Sequence, residues 1–91
     1  MALLSENEIQ QNLSGITGWQ LKGKEIQKVY EKRDFVDSLM FVNQAAFLAE
    51  KANHHPDVLI QWNKVTLTLS THSEGGLTEK DFELAAQIDK I

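Results

Sequence analysis

Residues 58–70 read VLIQWNKVTLTLS. Val58, Ile60 and Trp62 alternate with Leu59 and Gln61. After the couple Asn63-Lys64 the alternation resumes, with Val65, Leu67 and Leu69 set against Thr66, Thr68 and Ser70. A period of two is the repeat of a strand, whose successive side chains point to opposite faces. Two such runs joined by a short polar turn make an antiparallel hairpin. One face is aliphatic and the other is threonine and serine, so the hairpin needs an apolar cover on one side only. Helices must supply that cover.

The chain on either side supplies them. Asp34 is placed to cap a long helix running from Phe35 to about Ala52. At about 100° per residue, Phe35, Leu39, Val42, Ala46 and Ala49 form one stripe. Val36, Met40 and Phe47 form one shoulder, and Phe41, Ala45 and Leu48 the other. That is wider than the roughly 100° face a helix needs to lie on a single sheet. The excess leaves two uses open: a helix central to a small core, or one that also meets another subunit. Asn53-His54-His55-Pro56 ends it, since proline disfavours helical backbone in the residue before it. Upstream, Trp19 and Leu21, a turn at Gly23-Lys24, and Ile26 to about Lys32 predict a first hairpin, with a bulge where Val29 and Tyr30 break the alternation. Ser5 with Glu8 predicts a capped helix to about Leu13, and Thr78 with Asp81 a final helix to about Asp89. The expected fold is α+β, a four-stranded antiparallel sheet with three helices on one face, in the order α-β-β-α-β-β-α. With no linker or repeat, residues 1–91 are expected to form one domain. Two open sheet edges are a further reason to expect a homodimer or homotetramer.

Composition narrows the function. With 91 residues, one proline and 42% hydrophobic residues, the chain buries roughly 60–68% of its unfolded surface, a modest core. The absence of cysteine removes disulfides, thiolate metal sites and thiol nucleophiles together, and suits a cytoplasmic protein. A net charge of −4 disfavours direct nucleic-acid binding, and Lys22, Lys24, Lys28, Lys32 and Arg33 are interrupted by Glu25 and Glu31. No apolar run is long enough to span a membrane, and the first residues do not read as a signal peptide.

All three histidines fall within residues 54–72. Alternation carried past Leu69 puts His72 on the Thr/Ser face, away from the core. His54 and His55 fall in a loop, either a surface pair or a displayed site. Adjacent residues in extended backbone point apart, and no HExxH spacing is present, so a shared metal is disfavoured. Imidazole exchanges protons near neutral pH, which leaves acid/base chemistry as the reading.

The spacing is specific. Glu50, His54-His55-Pro56, Trp62, His72 and Asp81, with AEKANHHPD and THSEGGLTEKDFELA around them, resemble the signature of the pterin-4a-carbinolamine dehydratases. The likeness is strong from Phe35 to Ile91 and loose before it. It implies the same sheet-and-helix fold and a reaction in which a 4a-hydroxytetrahydropterin loses water to give the quinonoid dihydropterin, within tetrahydrobiopterin recycling. It implies no cofactor and no metal. It implies His54, His55 and His72 as acid/base and pterin-orienting groups, and Pro56, Thr71, Ser73 and Glu74 as substrate contacts. Glu50 is expected either to orient an imidazole or to stand exposed at the helix end; for Asp81, helix capping is favoured over a role in the site. Alternation assigns Trp62 to packing. The implied partners are the pterin, further copies of the chain and a pterin-dependent aromatic amino acid hydroxylase in the same pathway. Some members of the family also act as dimerisation partners of other proteins.

Overall fold

A computed structural model describes residues 2–91. The elements are α1 (Glu6–Ser14), β1 (Gln20–Lys22), β2 (Glu25–Glu31), α2 (Phe35–Ala52), β3 (Asp57–Gln61), β4 (Lys64–Leu69) and α3 (Glu79–Ile88), with a short 3-10 turn over His72–Glu74. The strands form one antiparallel sheet in the order β1-β2-β4-β3. β4 is an interior strand and apolar on every core-facing position: Val65, Leu67 and Leu69 are fully buried. Ile26 of β2 sits opposite Leu69, and Ile60 of β3 opposite Val65. Phe41, Ala45 and Ala49 of α2 and Phe82, Leu84, Ala85 and Ile88 of α3 close the core over that face, with α1 packed on it through Ile9 and Leu13. None of the described helices is long and apolar enough to cross a membrane.

Both helix-capping patterns read from the sequence form. Ser5 and Glu8 close a capping box on α1, Thr78 and Asp81 close one on α3, and Asp34 caps α2 through the Asp37 amide. Four local expectations are corrected. β2 has no bulge, for residues 26–31 pair one to one with residues 69–64. Val29 faces the open side of the sheet, and it is Lys28 that takes the core-facing position, reaching Asp89 at 2.9 Å.

The second correction concerns α2. Its buried stripe is Ser38, Phe41, Ala45 and Ala49, while Phe35, Val36, Leu39, Met40 and Phe47 stay exposed. Ser38, Ala45 and Ala49 let the helix approach the sheet and α3 closely, and Phe41 is the one large side chain this stripe puts into the core. The third correction is at the hairpin tip, which falls on Trp62-Asn63 rather than Asn63-Lys64, as the pairing of Gln61 with Lys64 requires. Trp62 has a φ of 52° and is 67% exposed, so it leaves the strand and does not pack. Left-handed backbone is costly for so bulky a residue. The tip is held there because the buried Ser38 hydroxyl donates to the Trp62 carbonyl, and the Lys32 amide to that of Asn63. Fourth, β4 ends at Leu69, so the alternation does not reach His72.

Candidate active site

Two loops build the site, one after α2 and one after β4. Asn53 ends α2 in left-handed backbone, φ 50°, and its amide returns to the last helical carbonyls. The next amide, that of His54, also bonds back to Ala49, at 3.0 Å. This reversal sends the two histidines to different places. His54 is buried and its Nε2 donates to Asp81 Oδ1 across 2.5 Å; His55 is exposed and its Nε2 donates to Glu50 Oε2 at 2.7 Å.

Past β4, Ser70 and Thr71 remain buried and the chain turns at His72–Glu74. Thr71 and Gly76 form an isolated bridge that closes this loop. Gly75, at φ 75°, supplies the left-handed residue that ends the turn without a side-chain penalty. His72 is therefore exposed because it opens a turn, although the expectation that it points off the core holds.

Asp81 ties the two loops together. Its Oδ2 accepts from the Thr71 hydroxyl at 2.8 Å and from the Thr78 amide at 3.0 Å, while Oδ1 takes His54. Thr78 Oγ1 lies 2.8 Å from Thr71 Oγ1. The capping favoured for Asp81 forms through one oxygen, and the other oxygen holds His54 beside the cavity. Because one imidazole nitrogen donates to a carboxylate, the tautomer of His54 is set, leaving Nδ1 as its second functional atom. That nitrogen has no protein partner among the described residues, and no buried side-chain nitrogen or oxygen is left unpaired. It is therefore open to the solvent side.

A cavity of about 410 Å³ lies there, lined by Asn53, His54, His55, Ser70, Thr71, His72, Ser73 and Lys80. Its volume suits a small heterocycle. All three histidines reach it, together with Thr71 and Ser73. Pro56 does not; with Glu50 and His55 it lines a separate, mainly apolar hollow of about 240 Å³ between α2 and β3. Glu74 is exposed at the end of the 3-10 turn and is not among the lining residues. Glu50 does hold an imidazole, that of His55 rather than His54. Asn53, Ser70 and Lys80 were not anticipated. The lysine, in the first turn of α3, is the one ammonium in the lining, and its Nζ lies 3.4 Å from the Asn53 carbonyl. Among the described residues no three His, Asp or Glu groups converge as a metal-holding set. The lining supplies hydroxyls, imidazoles and one cation, enough to orient a polar ring and exchange protons with it.

Comparison with known proteins agrees with this architecture. The family model described as pterin 4 alpha carbinolamine dehydratase matches residues 2–91. A Roseiflexus castenholzii protein assigned by name to the pterin-4-alpha-carbinolamine dehydratases is 56% identical, over 99% of this chain and 97% of its own. One from Sulfolobus acidocaldarius, assigned likewise, is 47% identical over 97% of each chain. Among solved structures, a Brucella melitensis protein described as a transcriptional coactivator/pterin dehydratase superposes with a TM-score of 0.91 at 38% identity, covering 96% of this chain and 95% of that one. A pterin dehydratase-like protein described as a RuBisCO assembly factor in the alpha-carboxysome shares the fold, with a TM-score of 0.65 at 23% identity over 79% of this chain and 83% of that one. The chain belongs to the pterin 4 alpha carbinolamine dehydratase family.

Proposed function

We propose that this protein dehydrates a 4a-hydroxytetrahydropterin to the quinonoid dihydropterin, using imidazole acid/base catalysis. The observation that carries the reading is the convergence of His54, His55 and His72 on one cavity. In the step, the C4a–O bond breaks as an imidazolium proton is delivered to the departing hydroxyl, which leaves as water. The lone pair of the adjacent ring nitrogen becomes the new C4a=N5 bond, and the proton on that nitrogen passes to a neutral imidazole. Electrons and protons balance without an oxidant or a covalent intermediate. Three imidazoles, two of them oriented by carboxylates, suit a reaction in which one group gives a proton and another takes one. Thr71 and Ser73 line the same cavity and supply hydroxyls for the heterocycle. In this reading the substrate comes from a pterin-dependent aromatic amino acid hydroxylase, and the product re-enters tetrahydrobiopterin recycling in the cytoplasm.

A stopped-flow ultraviolet assay tests it: the purified protein should accelerate dehydration of a chemically generated 4a-hydroxytetrahydropterin. A rate equal to the uncatalysed one overturns the reading.

We also propose that the chain self-associates through the outer face of α2. Phe35, Val36, Leu39, Met40 and Phe47 are all exposed there, a contiguous apolar face of the kind that marks an interaction surface. Light scattering should give a multiple of 10.3 kDa at micromolar concentration. A stable monomer contradicts it, and would leave the face to a different protein.

A further inference from the structure

His54 and His55 are each held by a carboxylate, whereas none holds the His72 ring among the described residues. The place of His72 in the cavity is therefore set by the backbone of its loop. That loop is closed at its base, where the Thr71 amide donates to the Gly76 carbonyl at 2.8 Å. Side chains fix the outgoing limb: the Ser70 hydroxyl donates to the Lys24 carbonyl and the Thr71 hydroxyl to Asp81. The returning limb, residues 75–77, carries no polar side chain at all. What stands against it is the segment before α1. The Leu4 amide donates to the Leu77 carbonyl at 3.0 Å, and Leu3 covers Gly76 so closely that a Cβ there would stand 3.1 Å from Leu3 Cδ2. Gly76 is buried and has no left-handed backbone to account for it; the close approach of Leu3 does. The segment is itself anchored, for Leu4 packs on the core and Ser5 caps α1. Residues 70–73 line the histidine cavity, while residues 75–77 share a separate hollow of about 210 Å³ with Leu3 and Leu4.

We infer that Leu3 and Leu4 are positioning residues for His72: they fix the returning limb and, through the Thr71–Gly76 bridge, the way His72 enters the cavity. The inference rests on the dehydratase reading and adds to it two residues that line no part of the histidine cavity. A short loop held at both ends has few conformations, and releasing one end returns that freedom to the residues between. Proton transfer requires the imidazole within about 2.6–3.2 Å of its target, so a small displacement of the loop is felt in the rate. The effect is confined to His72, because His54, His55 and Thr71 keep their own bonds to Asp81 and Glu50.

The test pairs dehydration kinetics with NMR of the histidine Cε1–H signals. Leu3→Ala uncovers Gly76 and should lower kcat by about tenfold, less than the roughly 100-fold a full 1 Å misplacement can cost. KM should stay within about twofold of wild type, because the groups fixed by Asp81 and Glu50 still bind the substrate. Leu3→Met keeps an apolar chain over Gly76 and should restore the rate. Gly76→Ala alone should also slow the reaction by pressing on Leu3. In the Leu3→Ala background its methyl fills the vacated space, so the double variant should be faster than Leu3→Ala. The His72 signal should broaden in Leu3→Ala while those of His54 and His55 stay sharp. A wild-type kcat in Leu3→Ala, a double variant slower than both single ones, or equal broadening of all three signals overturns the positioning role and leaves the dehydratase reading standing. If wild type accelerates no dehydration, that reading fails, and the histidine signals then decide on their own whether the segment holds the loop.

Discussion

At the N-terminus of α3, Asp81 accepts hydrogen bonds from His54, Thr71 and the Thr78 amide. At the helix's other end Asp89 accepts them from Trp19, Lys28 and Tyr30, at 3.1, 2.9 and 2.6 Å. Both carboxylates are largely withdrawn from water and both gather segments distant in sequence. They differ in what lies beyond the donors. The Trp19 indole has one N–H and no other polar atom. Lys28 spends its remaining reach on the Thr17 carbonyl. Burial, reinforced by the hydrogen bond to Asp89 and its charge, pushes the Tyr30 pKa well up, so that hydroxyl stays protonated. Among the described residues the donors named at that end are directed at Asp89 and Thr17 within the fold. His54 has a second ring nitrogen, and it lines a cavity shared with two more imidazoles. A buried carboxylate thus fastens the fold at one end of the helix and organises a candidate reaction site at the other.

That contrast can be broken by substitution. Asp81→Ala should cost the most, about 3–5 kcal/mol, because it strands buried donors on three segments. Urea denaturation measures it, and a loss below that of the Asp89 variant would reverse the comparison. Asp89→Asn should cost about 1.5–3 kcal/mol, as expected for hydrogen bonds to a charged group. Its dehydration rate, taken where both proteins are folded, should match wild type; a fall in rate without unfolding would show the C-terminal cluster acting on the site. Glu50→Gln should change stability by less than about 1 kcal/mol, since the pair with His55 is exposed and screened. It should still slow the reaction, because a neutral amide oxygen replaces the charged acceptor and holds the His55 ring less firmly. An unaltered stopped-flow rate would remove Glu50 from the account.

The smallest effect is alkaline. Tyr30 has a folded pKa above its ordinary value of 10.0. Its contribution is complete below about pH 10 and declines above it, where the unfolded chain releases the proton first. Tyr30→Phe cannot titrate. The melting-temperature gap between wild type and Tyr30→Phe should therefore narrow as pH rises past 10, and a constant gap would contradict the assignment.

The elements and their order were legible because alternation, helical periodicity and caps are local properties of the chain. What failed were extrapolations of a period beyond its element. Alternation carried one residue too far put Trp62 on the packed face, where the chain in fact turns through left-handed backbone. Carried past Leu69, it gave the right exposure for His72 from a strand that had already ended. On α2 the wheel showed an apolar girth too wide for one sheet but not which side faces the core. Close approach selected the face of Ser38, Ala45 and Ala49 with Phe41 among them, and left Phe35 and Phe47 outside. In the site, the histidines were visible by type and spacing. The bond from His54 to Asp81 joins residues twenty-seven apart and depends on how α2 and α3 pack. Lys80 carried no sequence signal beyond its place in a capped first turn.

The central claim is that the imidazoles perform chemistry while the carboxylates behind them hold the frame. The rate of His72→Ala against wild type tests it most directly, since His72 is exposed and no carboxylate partner holds it among the described residues. The dehydration rate should fall by at least about 100-fold, as for loss of a general acid or base. The melting temperature should stay where it was, as for a surface substitution. An undiminished rate, or a loss of rate matched by a collapse of the melting temperature, would contradict the account.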